Sequence, residues 1–200
     1  ISQEIARTDS EHVAGCHVNM ITTRPPGQPD DMEDLSPFEQ TVFDRAAWYQ
    51  AEDNGYFRIQ QTRPQTLGTG LNDSPAGLLA WIGEKFHGWT DHDGDPLTAV
   101  SRDRLLTNVS VYWFTRTINS STRMYYETSK AGMGSFGDTG EVPLGVSVFP
   151  KELMGARRRW VESKFNLTFW ADHEVGGHFA AMEQPEVLLA DIREFFRPLR

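Results

Sequence analysis

The 200-residue sequence carries 19 lysines and arginines against 28 aspartates and glutamates, a formal net charge of −9. This acidic balance, with no basic run beyond Arg157-Arg158-Arg159, argues against a nucleic-acid partner. Hydrophobic residues make up 38%, and no apolar run approaches the ~18 residues of a membrane span, so we expect no membrane segment in this chain. The one cysteine, Cys16, cannot form an internal disulfide, which predicts a reducing compartment such as the cytoplasm.

The N-terminal part has the pattern of an α/β fold. Residues 1–7 show helical spacing, and the apolar run 13–20 predicts a buried strand in which His17 fills a core or rim position. A proline-rich stretch over residues 25–31 then marks a linker. Because Ile1 opens in a helical pattern, without an initiator Met or a signal-peptide pattern, we expect the chain to begin in mid-domain.

An all-helical block rich in aromatic residues follows the linker. Ser36-Pro37-Phe38-Glu39 is a helix start with a capping box, and Ser74 and Ser101 begin two further helices. Ser120-Ser121-Thr122 is expected to cap a last short helix. The block over residues 33–128 is therefore predicted to be inserted between strand-like segments.

Two tyrosines of this block, Tyr56 and Tyr125, are candidate site residues. Tyr56 directly follows a predicted helix, and Tyr125 lies on the last short helix. A tyrosine hydroxyl can donate a hydrogen bond to a developing oxyanion. Taken singly, however, a tyrosine is more often a packed aromatic residue, so the residues alone leave both roles open.

The α/β pattern returns near the C-terminus. The apolar run 143–150 predicts a strand, and Glu152 stands just past its end. A helix is predicted over residues 153–164, with the arginine triplet on its exposed face, and a second strand over residues 166–170. A loop then leads to His178 and a final helix. This order predicts an α/β fold with polar groups at the C-terminal ends of its strands.

Glu152 and His178 form a candidate acid–base pair. Gly176-Gly177 lets the backbone turn sharply, which presents His178 on a tight loop before a helix. If the two preceding strands are parallel neighbours, Glu152 can orient His178 as in hydrolytic triads. The alternative is a surface glutamate and a helix-capping histidine. A nucleophile would have to precede both on a strand–elbow–helix turn, and neither G-x-S-x-G nor G-x-D-x-G occurs in the sequence.

Two metal-like patterns fail on their spacing. The segment from His173 to His178 resembles a zinc H-E-x-x-H motif with one residue too many, so the histidines would not share a helix face. Residues 91–95 resemble a calcium loop, but Pro96 stands where the loop needs Gly and Arg102 where it needs Glu. No phosphate-binding glycine loop is present. We therefore expect neither a metal nor a cofactor.

Several stretches together resemble the microsomal-type epoxide hydrolases, which are members of the α/β-hydrolase superfamily. The similarity runs nearly end to end, and its most specific stretches are Gly55-Tyr56-Phe57-Arg58-Ile59-Gln60, Leu71-Asn72-Asp73-Ser74-Pro75-Ala76-Gly77-Leu78, Leu105-Leu106-Thr107-Asn108-Val109, Phe149-Pro150-Lys151-Glu152-Leu153 and Gly176-Gly177-His178-Phe179-Ala180-Ala181-Met182-Glu183. The resemblance implies an α/β-hydrolase fold with an inserted helical lid. Residues 1–32 and 129–200 would form the C-terminal part of the core, and residues 33–128 the lid.

The resemblance also implies roles for the candidate residues. His178 matches the catalytic histidine and Glu152 the charge-relay acid, while Tyr56 and Tyr125 match the lid tyrosines that hold the epoxide oxygen. The family's nucleophile is an aspartate in a G-G-D-W-G elbow, expected shortly upstream of Ile1. Its H-G-x-P oxyanion-hole motif is expected further upstream, so the partner of this chain would be the N-terminal half of the same domain.

The implied activity is hydrolysis of an epoxide to a vicinal diol through an ester on that aspartate. The aromatic lid indicates an apolar epoxide, such as an aryl epoxide. A haloalkane dehalogenase shares the aspartate and histidine but does not need the two tyrosines, and an esterase would require a serine in the elbow. A different alternative is an inactive fragment or binding module, because the nucleophile lies outside this chain.

Overall fold

The computed structural model describes residues 1–23, 25–27, 31–132 and 140–200. Its described residues fall into two units, one within Ile1–Ala47 and Phe136–Arg200 and the other within Trp48–Ser135. The first unit contains the strands, and the second is all helical. None of the helices within these ranges has both the length and the apolar character that crossing a membrane requires. Residues 28–30 of the predicted linker lie outside the described residues.

The elements follow one another in a simple order. The chain begins with α1 (Ser2–Thr8), β1 (Cys16–Val18) and α2 (Pro37–Trp48). The helical unit contains α3 (Gly55–Thr62), α4 (Pro64–Asp73), α5 (Pro75–Trp89), α6 (Arg102–Thr115) and α7 (Ile118–Lys130). The C-terminal part contains β2 (Leu144–Val148), α8 (Arg158–Glu162), β3 (Leu167–Asp172), α9 (Ala180–Glu183) and α10 (Pro185–Phe196).

The three strands form one parallel sheet in the order β1-β2-β3. Every residue of β2 is buried, as expected for an apolar strand between two parallel neighbours. Val148 pairs with Asp172, so β2 and β3 end side by side. This confirms the predicted strands and the parallel α/β arrangement.

A continuous apolar cluster surrounds the sheet. Its buried members and close neighbours come from the strands, α1, α2, α8 and the segment after β1: Ala6, Cys16, Ile21, Phe38, Val42, Phe43, Leu144, Val146, Trp160 and Val161. Because α2 packs here, the described residues of 33–47 group with the strands. The all-helical unit of the structure begins at Trp48, and its last helix, α7, ends at Lys130.

Arg157 departs from its predicted place on an exposed helix face. It precedes α8 and is buried, and its guanidinium donates to Glu39 Oε1 at 2.8 Å. It also donates to the backbone carbonyls of Asp31, Glu33 and Asp34, at 2.9, 2.8 and 3.1 Å. A guanidinium can satisfy several acceptors at once, so Arg157 fixes the segment that leads into α2. The predicted helix over residues 153–164 is accordingly shortened to α8.

The helical unit has its own apolar cluster, in which Leu71, Leu78, Val109 and Ile118 are buried. Helices α4 and α7 approach closely at Gly68, where a Cβ would lie 2.9 Å from the Asn119 Cα. Thr122 was expected in a helix cap but is buried inside α7, and its hydroxyl donates to the Asn119 carbonyl at 2.9 Å. Ser36, by contrast, forms the predicted capping box with Glu39.

Candidate active site

Two adjacent loops at the C-terminal ends of β2 and β3 bring Glu152 to His178. Lys151 forms a parallel bridge with Gly177, and its backbone N–H donates to the Gly176 carbonyl at 3.1 Å. Gly176 adopts φ +115°, and a Cβ there would lie 2.7 Å from Phe149 Cδ1. Both the backbone angle and the close approach require glycine at this position. The turn predicted from Gly176-Gly177 is therefore what presents His178.

His178 Nδ1 lies 2.5 Å from Glu152 Oε1. Glu152 is 1% exposed, and the same oxygen accepts a hydrogen bond from the Leu153 backbone N–H at 2.7 Å. Its second oxygen, Oε2, has no hydrogen-bond partner among the described residues. The His178 side chain is 24% exposed, so the buried carboxylate anchors a partly accessible imidazole.

This geometry can support acid–base chemistry. When Nδ1–H donates to a carboxylate, the basic lone pair of the neutral imidazole is on Nε2. The carboxylate also stabilises the imidazolium that forms when Nε2 accepts a proton. The structure thus brings together the first predicted pair in the arrangement of a base and its orienting acid.

Tyr56 and Tyr125 also lie together, within the helical unit. Tyr56 is in the first turn of α3 and Tyr125 is on α7, and their ring centroids are 5.9 Å apart in an edge-to-face arrangement. Burial raises the pKa of both hydroxyls, so each stays protonated near neutral pH and can donate. The buried side chain of Gln60 acts against this rise in the pKa of Tyr125.

Tyr49 joins this pair, and the sequence analysis missed it. It lies in a single π-helical turn, Tyr49–Asp53, and its hydroxyl oxygen is 3.2 Å from that of Tyr56. Burial raises its pKa as well. The sequence does place Tyr49 seven residues before Tyr56, a spacing of about two helical turns that could have indicated that the two side chains lie near each other. Three tyrosine side chains therefore form one group, in which Tyr56 shares a hydroxyl contact with Tyr49 and a ring contact with Tyr125.

A second polar cluster in the sheet unit is wholly different in character. Ser147 Oγ donates to Asp191 Oδ2 at 2.6 Å, and His173 Nε2 lies 2.6 Å from the same oxygen. His17 Nε2 lies 3.2 Å from Ser147 Oγ, and burial lowers the pKa of His17 against the opposing effect of Asp191. The Ser147 hydroxyl is inaccessible and is directed to a carboxylate, so this cluster fills the interior instead of presenting a nucleophile. Within the described ranges, no group of His, Cys, Asp and Glu side chains is arranged to hold a metal ion.

Comparison with known proteins relates the whole chain to one set of relatives. No protein-family model matches it. It is 45% identical over 201 residues to a putative epoxide hydrolase of Stigmatella aurantiaca, a match that covers 100% of this chain and 45% of that protein. It is 41% identical over 177 residues to epoxide hydrolase 1 of Sus scrofa, which covers 82% of this chain and 37% of that protein.

Solved structures give the same result. The epoxide hydrolase of Aspergillus niger matches with a TM-score of 0.84 at 32% identity, covering 99% of this chain and 49% of that one. The juvenile hormone epoxide hydrolase of the silkworm Bombyx mori matches with a TM-score of 0.85 at 28% identity, covering 99% and 52%. The chain therefore spans about half, or less, of the length of the relatives it matches.

Proposed function

We propose that this chain, which belongs to the epoxide hydrolases of the α/β-hydrolase family, supplies the acid–base pair and the oxygen-binding tyrosines of an enzyme that converts an epoxide and water to a vicinal diol. Membership of the family and the α/β-hydrolase fold agree with the resemblance seen in the sequence. The observation that carries the proposal is the 2.5 Å contact between the buried Glu152 and His178.

The first step opens the epoxide ring. Tyr56 and Tyr125 donate hydrogen bonds to the ring oxygen while an aspartate, expected outside this chain, attacks a ring carbon. The ring C–O bond breaks, an ester C–O bond forms, and the released oxygen takes the proton of one tyrosine hydroxyl, which is left as the phenolate. The close approach of the two side chains, with ring centroids 5.9 Å apart, supports their role as joint donors.

The second step hydrolyses the ester. His178 Nε2 removes a proton from water, and the resulting hydroxide attacks the ester carbonyl. The ester C–O bond then breaks, and the departing diol oxygen takes the proton from His178. The proton left on the carboxyl group returns to the tyrosine phenolate, which regenerates the aspartate and the tyrosine. Glu152 stabilises the imidazolium between these events, and a neutral histidine near pH 7 is suited to this task.

The helical segment is proposed to act as the lid. The sequence predicts that the lid spans residues 33–128, and the all-helical unit of the structure begins at Trp48. Its aromatic side chains favour an apolar epoxide, such as an aryl epoxide. The N-terminal half of the same domain is the proposed partner, and a reducing, cytoplasmic location remains a prediction. A haloalkane dehalogenase would leave the buried tyrosine group without a chemical role.

The test uses the full-length protein with styrene oxide as the probe. His178→Gln should still form the ester but fail to hydrolyse it, so intact mass spectrometry should show one covalently added epoxide. His12→Gln replaces an exposed histidine and should turn over as the wild type does. If the wild type makes diol but the His178→Gln protein carries no adduct, His178 is not the base of the second step. A wild type that makes no diol from any apolar epoxide would refute the proposed function.

A further inference from the structure

A buried lysine lies beneath the candidate oxygen-binding tyrosine. Lys85 is on α5 and is 8% exposed, although lysine is rarely buried this deeply. Its ammonium nitrogen lies 4.8 Å from the centroid of the Tyr56 ring and 5.3 Å from that of the Trp89 ring. Both distances are within the range of a cation–π interaction. The structure thus places a full positive charge against the face of the Tyr56 ring.

A buried carboxylate holds the ammonium in that place. Lys85 Nζ lies 2.6 Å from Asp53 Oδ1, and the Asp53 side chain is 13% exposed. The other oxygen of Asp53 accepts a hydrogen bond from the Trp89 indole N–H. Glu84 also contacts Lys85 Nζ at 2.6 Å, but its side chain is 61% exposed and solvent screens that contact. Asp53 therefore determines where the charge sits.

We propose that Lys85 is a positioning residue for Tyr56, whose charge strengthens the hydrogen bond that Tyr56 donates to the substrate oxygen. This inference rests on the proposed function, since it assumes that Tyr56 binds the epoxide oxygen. Negative charge developing on that oxygen is shared with the Tyr56 hydroxyl and spreads into its ring. A cation on the ring face stabilises that charge, and it does so most in the transition state of ring opening.

The burial of Tyr56 explains why such a cation would matter. Burial raises the pKa of Tyr56, which makes the hydroxyl a weaker acid and so a weaker donor. The Lys85 ammonium, 4.8 Å from the ring centroid, stabilises charge that reaches the ring and does so without touching the substrate. Tyr49 contacts the same hydroxyl and orients it, but it brings no charge.

A purely structural role is the competing explanation, because the Lys85–Asp53 pair also ties α5 to the π-helical turn. The two roles differ in which step they affect. A structural role alters folding stability and changes both chemical steps together, whereas the electrostatic role changes ring opening and depends on the Tyr56 hydroxyl.

The experiment measures the two steps separately in the full-length protein. Quenched-flow mass spectrometry with styrene oxide follows ester formation and ester hydrolysis in Lys85→Met, Lys85→Arg, Tyr56→Phe and the double variant Lys85→Met with Tyr56→Phe. Lys130 lies 5.5 Å from the Tyr126 ring in an exposed cation–π contact, so Lys130→Met is the matched control.

The expected result is specific to one step and one hydroxyl. Lys85→Met should slow ester formation roughly 5- to 30-fold, the range that a partly to fully desolvated cation–π contact supports, and leave ester hydrolysis unchanged. Lys85→Arg should retain most of the rate, and Lys130→Met all of it. In the Tyr56→Phe background, adding Lys85→Met should have little further effect.

The outcomes separate the two proposals. A wild type that forms no diol refutes the proposed function and this inference with it. If the wild type is active, either of two results overturns the inference alone. One is that Lys85→Met forms ester at the wild-type rate. The other is that Lys85→Met slows ester formation as much in the Tyr56→Phe background as it does with Tyr56 present. If Lys85→Met does not fold, Lys85→Gln replaces it. If neither neutral variant folds while Lys85→Arg does, Lys85 serves stability and the inference fails.

Discussion

Replacement of Glu152 by glutamine tests how the buried carboxylate acts on His178. The substitution preserves shape, and the amide oxygen can keep the place of Oε1, which accepts from Leu153 N–H at 2.7 Å and contacts His178 Nδ1 at 2.5 Å. The new NH₂ group then takes the place of Oε2, which has no partner among the described residues. Glu152→Gln therefore removes the charge while keeping the hydrogen bond that fixes the ring.

The magnitude follows from the charge that is lost. Two unit charges about 4 Å apart attract by about 4 kcal/mol at an effective dielectric constant of about 20. The neutral hydrogen bond that remains recovers about 1 kcal/mol of this. The imidazolium is thus less stable by about 3 kcal/mol, and ester hydrolysis should slow by roughly 10²- to 10³-fold. Burying the unpaired NH₂ group should also lower the free energy of unfolding by about 1–3 kcal/mol.

The assay compares the two half-reactions in the full-length protein. Ester formation does not use His178, so its rate should be unchanged in Glu152→Gln, and the ester should accumulate. Glu174→Gln, an exposed neighbour on the same loop, should behave as the wild type. Two results would refute the view that Glu152 acts by stabilising the positive charge of His178. One is a steady-state turnover that Glu152→Gln leaves unchanged, and the other is an equal loss of rate in both half-reactions.

Three further predictions concern stability. The pKa of His17 is lower in the folded state than its ordinary value, so the unfolded chain takes up a proton first as the pH falls. Below about pH 6.5, His17 therefore lowers the free energy of unfolding by at most ~1.4 kcal/mol per pH unit. His17→Gln should reduce this slope in urea unfolding at several pH values, and an unchanged slope would contradict the prediction. Gly176→Ala should cost roughly 1–3 kcal/mol, measured in the same way, because its Cβ would meet Phe149 and its φ suits glycine; wild-type stability would show that the loop relaxes freely. Arg157→Lys should cost roughly 2–4 kcal/mol, since one ammonium cannot replace the guanidinium at Glu39 and three carbonyls, and a loss below about 0.5 kcal/mol would contradict that.

The sequence predicts well those features that depend on neighbours along the chain. The apolar run that becomes β2 is bounded by prolines, and its burial pattern follows directly. The capping box at Ser36 is a local motif and forms as expected. Glu152 and His178 could be paired in advance because parallel neighbouring strands end at the same edge of a sheet.

Features that depend on distant segments could not be predicted in this way. Arg157 is buried because carbonyls more than 120 residues earlier in the chain surround its guanidinium, and no local pattern encodes that contact. The burial of Lys85 likewise depends on a distant partner, since Asp53 lies 32 residues away on a different element. Tyr49 was missed because the π-helical turn and the end of that helix separate it from Tyr56, so the two residues lie on different elements.

We propose that the enzyme hydrolyses an epoxide through an ester, with His178 and Glu152 acting only in the second step. A single turnover in ¹⁸O-labelled water distinguishes this route, with the full-length enzyme in excess over the epoxide and the diol analysed by mass spectrometry. Because the first oxygen transferred comes from the carboxylate, we expect an unlabelled diol in the first turnover and label in the enzyme. A labelled diol from that first turnover would mean that water attacks the epoxide directly, and would refute the ester mechanism.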